Sequence, residues 1–261
     1  MCSPLGLFRF SLFSAIFLLL CAIFTAALSP SAFALAVSDA ELACLQNELR
    51  GLPPGERMAF WAERFVTTPY DPDLMGEYVR RSVIVADERV DCMYHVFRSA
   101  ELALSANPED AVLVALDKRF HGRGVMKNGL VVNYEDRFAF GEDMVFSGKW
   151  GKVVTADIGP VARMRGSRGI SEIIYIPKHA AVAFEKLKPG DIVFLVNSAH
   201  KRRGNEIVGH MGIVAIDEKT ASAHFIHAGG VKGKGGAVRK VPLKAYLATM
   251  PFAGIMITRF Q

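Results

Sequence analysis

Cysteine is scarce in this chain: four residues in 261, at positions 2, 21, 44 and 92. No two stand as C-x-x-C and no H-E-x-x-H helix occurs, which argues against a structural or catalytic zinc site. Two lone cysteines in the body of the chain, Cys44 and Cys92, do not read as a disulfide framework either. Charge of one sign is also in short supply. The 31 Lys and Arg against 26 Asp and Glu leave a formal charge of +5. That excess is too small and too dispersed for nucleic-acid binding, and no recognisable nucleic-acid module is present. It suits at most a weak association with an anionic envelope surface. Internal repeats and low-complexity linkers are missing as well.

One long apolar run stands apart from the rest. Arg9 precedes an apolar stretch from Phe10 to Leu28, and the small residues of "SPSAFALA" follow. This is the pattern of a secretory signal over residues 1–34, cleaved after Ala34, with an uncleaved membrane anchor as the alternative. Removing 34 of the 261 residues leaves 227 with one arginine fewer, hence a charge of +4. That length suits one well-buried domain with a helical segment before it. The expected location is periplasmic or extracellular.

Residues 37–66 read as two helices. Ser38 is placed to cap the first, Gly51 with Pro53-Pro54 closes it, and Met58, Trp61, Phe65 and Val66 line one side of the second. Pro69 and Pro72 then break the helical pattern, and "RRSVIVADERV" is a short strand or an extended lead-in. From Asp91 the helical spacing is clear, with Met93, Val96, Phe97, Ala100 and Leu104 on one face and Asp91 as N-cap. "AVLVALDKRFHG" reads as a further helix, and residues 122–168 as an insertion-like segment of short strands and turns. Five β-rich runs follow: "SEIIYIPK", "GDIVFLVN", "HMGIVAID", "SAHFIHAG" and "FAGIMITRF". Helices first and strands later predict an α+β fold, with the helix from Asp91 packed on an antiparallel sheet. The domain plan is a signal peptide over 1–34, an N-terminal helical segment over 35–80 and the main domain over 81–261, with 122–168 as its insertion-like segment.

Cys92 is the residue with chemistry to offer. At a helix N-terminus the unpaired N–H groups favour negative charge, so the thiol is expected to ionise more readily than usual. The same N–H groups can hold a developing oxyanion. An inert core cysteine is the competing reading. A nucleophilic thiol needs a base, and the base needs an orienting partner. His210 opens the apolar strand "HMGIV" directly after a glycine, and His227 ends the next β-run. If the two runs pair around "DEKTAS", the histidines become neighbours, giving a Cys–His–His chain. His95, three residues after Cys92, is a candidate wall residue of the site. His224 points to the opposite face from His227, and His121, His179 and His200 sit in polar loops. The basic stretch Lys201, Arg202, Arg203 is a candidate attractor for a carboxylated peptide. The glycine-rich "GGVKGKGGAV" opens no helix and reads as a turn at the cleft edge. Asp191 in "KPGD" reads as a structural strand opener.

In order and wording, "DCMYHVF", "KLKPGDIVFLV", "GHMGIV" and "FIHAGG" resemble the NlpC-type papain-like cell-wall cysteine hydrolases. "FVTTPYD", "KNGLVVNYEDRFAFGEDMVFSGKW" and "AGIMITRF" are more similar to one branch, the N-acetylmuramoyl-L-alanine amidase-like proteins. The resemblance implies a papain-like fold, Cys92 as nucleophile, His210 as base, His227 as the third polar residue and Tyr70 in the substrate cleft. Asp91, Tyr94 and His95 are the expected contacts around the nucleophile. Tyr94, His95 and Phe97 depart from the threonine, aromatic and glutamate usual in that branch. The implied substrate is peptidoglycan or muropeptides, cut at the N-acetylmuramoyl–L-alanine bond, with no metal or cofactor. A D-glutamyl–diamino acid endopeptidase and a non-catalytic wall-peptide binder are the alternatives.

Overall fold

Helix starts fall where their caps stand in the computed structural model, which describes residues 37–261. The expected signal segment lies outside the described residues. The first helix, α1 (Asp39–Glu48), begins with the Ser38 hydroxyl accepting from the Glu41 N–H at 3.3 Å. Pro54 opens α2 (Pro54–Arg64), where its missing N–H costs nothing. A short α3 (Glu77–Arg80) and an extended stretch lead to α4 (Cys92–Leu104). "RRSVIVADERV" forms no strand of its own; only Val90 pairs, in a single bridge with Tyr70. Asn107 closes the turn after α4 by capping the next helix, α5 (Pro108–Lys118), accepting from the Asp110 N–H at 2.8 Å.

The segment after α5 holds a two-strand hairpin of β1 (Met126–Lys127) and β2 (Leu130–Val131), then α6 (Gly141–Phe146), β3 (Lys152–Val153), α7 (Thr155–Ile158) and β4 (Ala162–Arg165). The five expected β-runs are β5 (Glu172–Pro177), β6 (Ile192–Val196), β7 (Val208–Ile216), β8 (Ala223–Val231) and β10 (Gly254–Arg259). Between the last two lie β9 (Gly235–Pro242) and α8 (Leu243–Thr249). The strands form one antiparallel sheet in the order β4-β5-β10-β6-β7-β8-β9, with β3 also paired to β10. The glycine-rich run is the β8–β9 hairpin and its tip, so the second half of that run is sheet.

β6 shows how the sheet divides the core. Ile192, Phe194 and Val196 face the core shared with α1, α2, α4 and α5, while Val193 and Leu195 face a second core under α7 and α8. Both faces of the central strand are covered, so it reads as an unbroken apolar run. Leu42, Met58, Trp61 and Phe65 from the N-terminal helices belong to the same core as α4.

Helix α4 is more enclosed than its amphipathic pattern predicts. Every residue from Tyr94 to Ala103 is buried, including Arg98 and Glu101 on the supposedly polar face. Their charges are matched internally. Arg98 pairs with Asp87 at 3.0 Å, and Arg119 forks onto Glu101 at 2.5 and 2.7 Å. Burial of charge is tolerable only with such partners. The fork also fastens α4 to the C-terminus of α5.

Candidate active site

Asp91 fixes the position of Cys92. Its carboxylate accepts from the Tyr94 N–H at 2.8 Å and caps α4, so Cys92 occupies the first helical position. The N–H groups of this turn have no intrahelical acceptor. The Met211 N–H lies near enough to the sulfur to favour its charged form, which sets Cys92 against β7 immediately beside His210. Cys92 is a free thiol, so it forms no disulfide with Cys44.

His210 owes its placement to three local features. The β6–β7 register shifts between Leu195 and Val196, which pair with His210 and Val208, leaving Gly209 as the extra residue of a bulge. A Cβ at Gly209 would lie 2.6 Å from the Asn197 amide and 2.8 Å from the Phe252 ring, so any larger residue in the bulge would displace those side chains. Just upstream, the buried Glu142 carboxylate accepts from the N–H groups of Ile207 and Val208, each at 3.1 Å, and tethers the start of β7. The β7–β8 register, with Ile213 opposite Ile226, places His227 diagonally across from His210. Their imidazoles meet, Nε2 of His210 to Nδ1 of His227, at 2.9 Å. His227 is in turn stacked on Phe225, 5.0 Å between centroids, and packed against Tyr246 of α8 at 4.7 Å. The imidazole of the third residue therefore has little freedom to rotate.

Cys92, His210 and Met211 open onto one cleft of about 360 Å³. Its other walls come from Leu74 to Val79, from Arg137 to Gly141, and from Glu206 and Lys232. Residues 122–168 are thus part of the site: Arg137–Gly141 form a wall and Glu142 holds β7. The Lys232 ammonium, on the β8–β9 tip, lies 3.5 Å from Asp91, donates to the Asp71 carbonyl at 3.3 Å and sits 5.4 Å over the Tyr70 ring. Tyr70 is almost fully buried behind Lys232 and against Gly230, where any Cβ would strike its ring.

Tyr70 is therefore not part of the cleft lining, and two further expected contacts do not reach the cleft either. Tyr94 is fully buried; its hydroxyl donates to Asp87 at 2.7 Å and accepts from the Ala86 N–H at 2.6 Å, holding the lead-in segment. His95 is likewise fully buried, packed edge-on to Phe65 with Nε2 3.4 Å from the Ala62 carbonyl. Helical rotation carries Tyr94 to the side away from Cys92, whereas His95, three residues on, shares that side and is enclosed by Phe65 and Ala62. Arg202 packs by Ser167 and Met164 rather than over the cleft. Asp191 forks onto Arg259 at 2.6 and 2.7 Å, joining β6 to β10, the structural part expected of it.

The electrostatics correct a further expectation. Burial pushes the Cys92 thiol up to about 12, with the Asp91 carboxylate adding to it, and these outweigh the Met211 N–H and Lys232. Burial likewise lowers the His210 imidazole to about 3, helped by His227 and His95. At this thiol the loss of hydration and the Asp91 charge outweigh what the helix N-terminus and Lys232 offer a thiolate. The resting pair is therefore neutral thiol and neutral imidazole.

Glu142, Glu206, Lys232 and Tyr246 were not foreseen as site residues. Phe225, two residues before His227, was readable from strand alternation; the others carry no local signal.

No protein-family model matches the chain, and neither does any curated protein sequence. Solved structures do. An N-acetylmuramoyl-L-alanine amidase from Bacteroides uniformis matches at a TM-score of 0.60 and 20% identity, over 80% of this chain and 99% of that one. A Legionella pneumophila protein of the DUF1460 family matches at 0.63 and 16%, over 84% and 93%. A Bacteroides fragilis protein provisionally named a xylanase matches at 0.57 and 20%, over 76% and 99%. At these identities the likeness establishes a shared fold, a mixed α/β domain whose helices pack on an antiparallel sheet.

Proposed function

We propose that the protein is an exported cysteine amidase of NlpC-type, papain-like architecture that cleaves peptidoglycan or muropeptides at the N-acetylmuramoyl–L-alanine bond. The observation that carries this reading is that Cys92 and His210 line one cleft while His227, buried behind them, meets the His210 imidazole at 2.9 Å. The amidase named among the solved structures of the same fold supports the choice of bond. A thiol backed by two imidazoles suits acyl transfer.

The chemistry follows from the geometry. With Nε2 of His210 engaged by His227, its Nδ1 is the nitrogen left for the thiol. As Cys92 Sγ attacks the lactyl carbonyl, its proton passes to Nδ1, which avoids a separate, costly ionisation. The Cys92 N–H stabilises the oxyanion. The imidazolium then protonates the leaving amine of L-alanine, the C–N bond breaks, and a thioester remains. Water, deprotonated by the same nitrogen, hydrolyses the thioester and restores the thiol. His227 keeps the His210 ring in one orientation and shares the transient charge.

The test is product identity. Wild type and Cys92→Ala are incubated with defined muropeptides and the products weighed. Release of intact peptides beginning with L-alanine by wild type alone is the expected result. Fragments ending at D-glutamate would assign the endopeptidase bond instead, and equal turnover by the variant would remove Cys92 from the mechanism.

A further inference from the structure

Four charged side chains line the cleft: Asp91, Arg137, Glu206 and Lys232. Three are spoken for. Asp91 and Lys232 face each other at 3.5 Å, and the Arg137 guanidinium donates to the Tyr134 carbonyl at 3.1 Å and lies over its ring. Glu206 is different. It is half-buried, four residues before His210, and among the described residues its carboxylate has neither an ion-pair nor a hydrogen-bond partner. The nearby Arg168 makes no ion pair with it, being turned to Glu142 at 3.3 Å and Asp143 at 3.6 Å, and eases its charge only from a distance. Burial first and the repulsion of Glu142 second raise the Glu206 pKa, and Arg168 offsets them only in part. Glu206 is thus a carboxylate on the cleft wall near a second carboxylate, with no cation paired to it among the described residues. Such a group is stabilised by a positive charge that arrives with the ligand.

We propose that Glu206 is a specificity residue that receives an ammonium group of the substrate, the side-chain amine of a diamino acid in the stem peptide. This rests on the amidase reading, since it takes the ligand to be a wall peptide. A bound metal ion is a poor fit, because among the described residues no three His, Cys, Asp or Glu side chains converge to hold one. Glu206 makes no hydrogen bond to the thiol or the imidazoles, but its charge reaches Cys92 and raises the thiol pKa, so its role is read from the difference between two peptides and not from the rate alone.

The experiment compares two muropeptides that differ only in that amine, free or acetylated. Wild type is expected to favour the free amine in KM by roughly tenfold or more, the worth of one charge-assisted hydrogen bond. Glu206→Gln should abolish the preference, and Glu206→Lys should reverse it, with melting temperatures confirming that both variants fold. Equal KM values for the two peptides in wild type, or a preference that survives in Glu206→Gln, would overturn the proposal. The same two peptides are titrated calorimetrically into Cys92→Ala with and without Glu206→Gln. If wild type cleaves neither peptide, the amidase reading fails, while this binding comparison still decides the role of Glu206: absence of binding, or equal binding of both peptides, would count against it.

Discussion

At the scale of single residues, protonation is the point of interest. A cysteine at the first turn of a helix is normally expected to sit as a thiolate, and here desolvation reverses that. With the thiol at about 12 and His210 at about 3, the resting pair is neutral at pH 7. Alkylation of Cys92 by iodoacetamide should therefore be slow near neutrality and climb steadily as the pH rises. A rate plateau between pH 4 and 8, the mark of a preformed thiolate–imidazolium pair, would contradict the neutral pair. The same local view explains "MYH" behind the cysteine. Tyr94 and His95 are part of the packing, since one ties the lead-in segment to Asp87 and the other fills the seam against α2. The apolar periodicity of α4 was legible in the sequence; that its polar face would also be buried was not, because the partner Arg119 lies in another helix.

At the scale of elements, the start of β7 carries the site. Its bulge at Gly209 and its tether to Glu142 together aim His210. Glu142→Ala leaves two buried N–H groups and Arg168 without their acceptor. A loss of roughly 2–4 kcal/mol is expected from unpaired groups of this kind, together with a fall in kcat as His210 drifts. Chemical denaturation and steady-state kinetics would measure both; an unchanged kcat would mean that the bulge alone positions the strand. The β7–β8 pairing was foreseen from two apolar runs around a turn, and it follows from local alternation. β9 was missed because its glycines mask a strand that only cross-strand hydrogen bonding with β8 stabilises.

At the scale of the whole molecule, three imidazoles resist protonation, the buried His95 and His227 at about 4 and the half-buried His210 at about 3, all well below the ordinary 6.5. Above pH 6.5 neither the folded nor the unfolded chain protonates them, and they impose no penalty. Below it the unfolded chain takes up protons that the folded one refuses, so stability falls as the pH drops from about 6.5 towards 4. Each imidazole contributes up to about 1.4 kcal/mol per pH unit in that window. Melting temperatures across pH 4–8 should show this slope, and His95→Phe should flatten it without touching the cleft. A flat profile would mean that the imidazoles are reached by water.

The sequence by itself determined what depends on near neighbours. Caps at Ser38, Asp91 and Asn107, the apolar faces of the helices, the five β-runs and the β7–β8 pairing that sets His210 near His227 follow from local periodicity and turn chemistry; the approach of Cys92 to β7 does not. Tertiary structure decided the rest: the neutral resting state of the thiol, the service of residues 122–168 as a cleft wall, and the roles of Glu142, Glu206 and Lys232. These depend on desolvation and on charges brought together from distant segments. Such terms are properties of the packed molecule, and no window of sequence contains them.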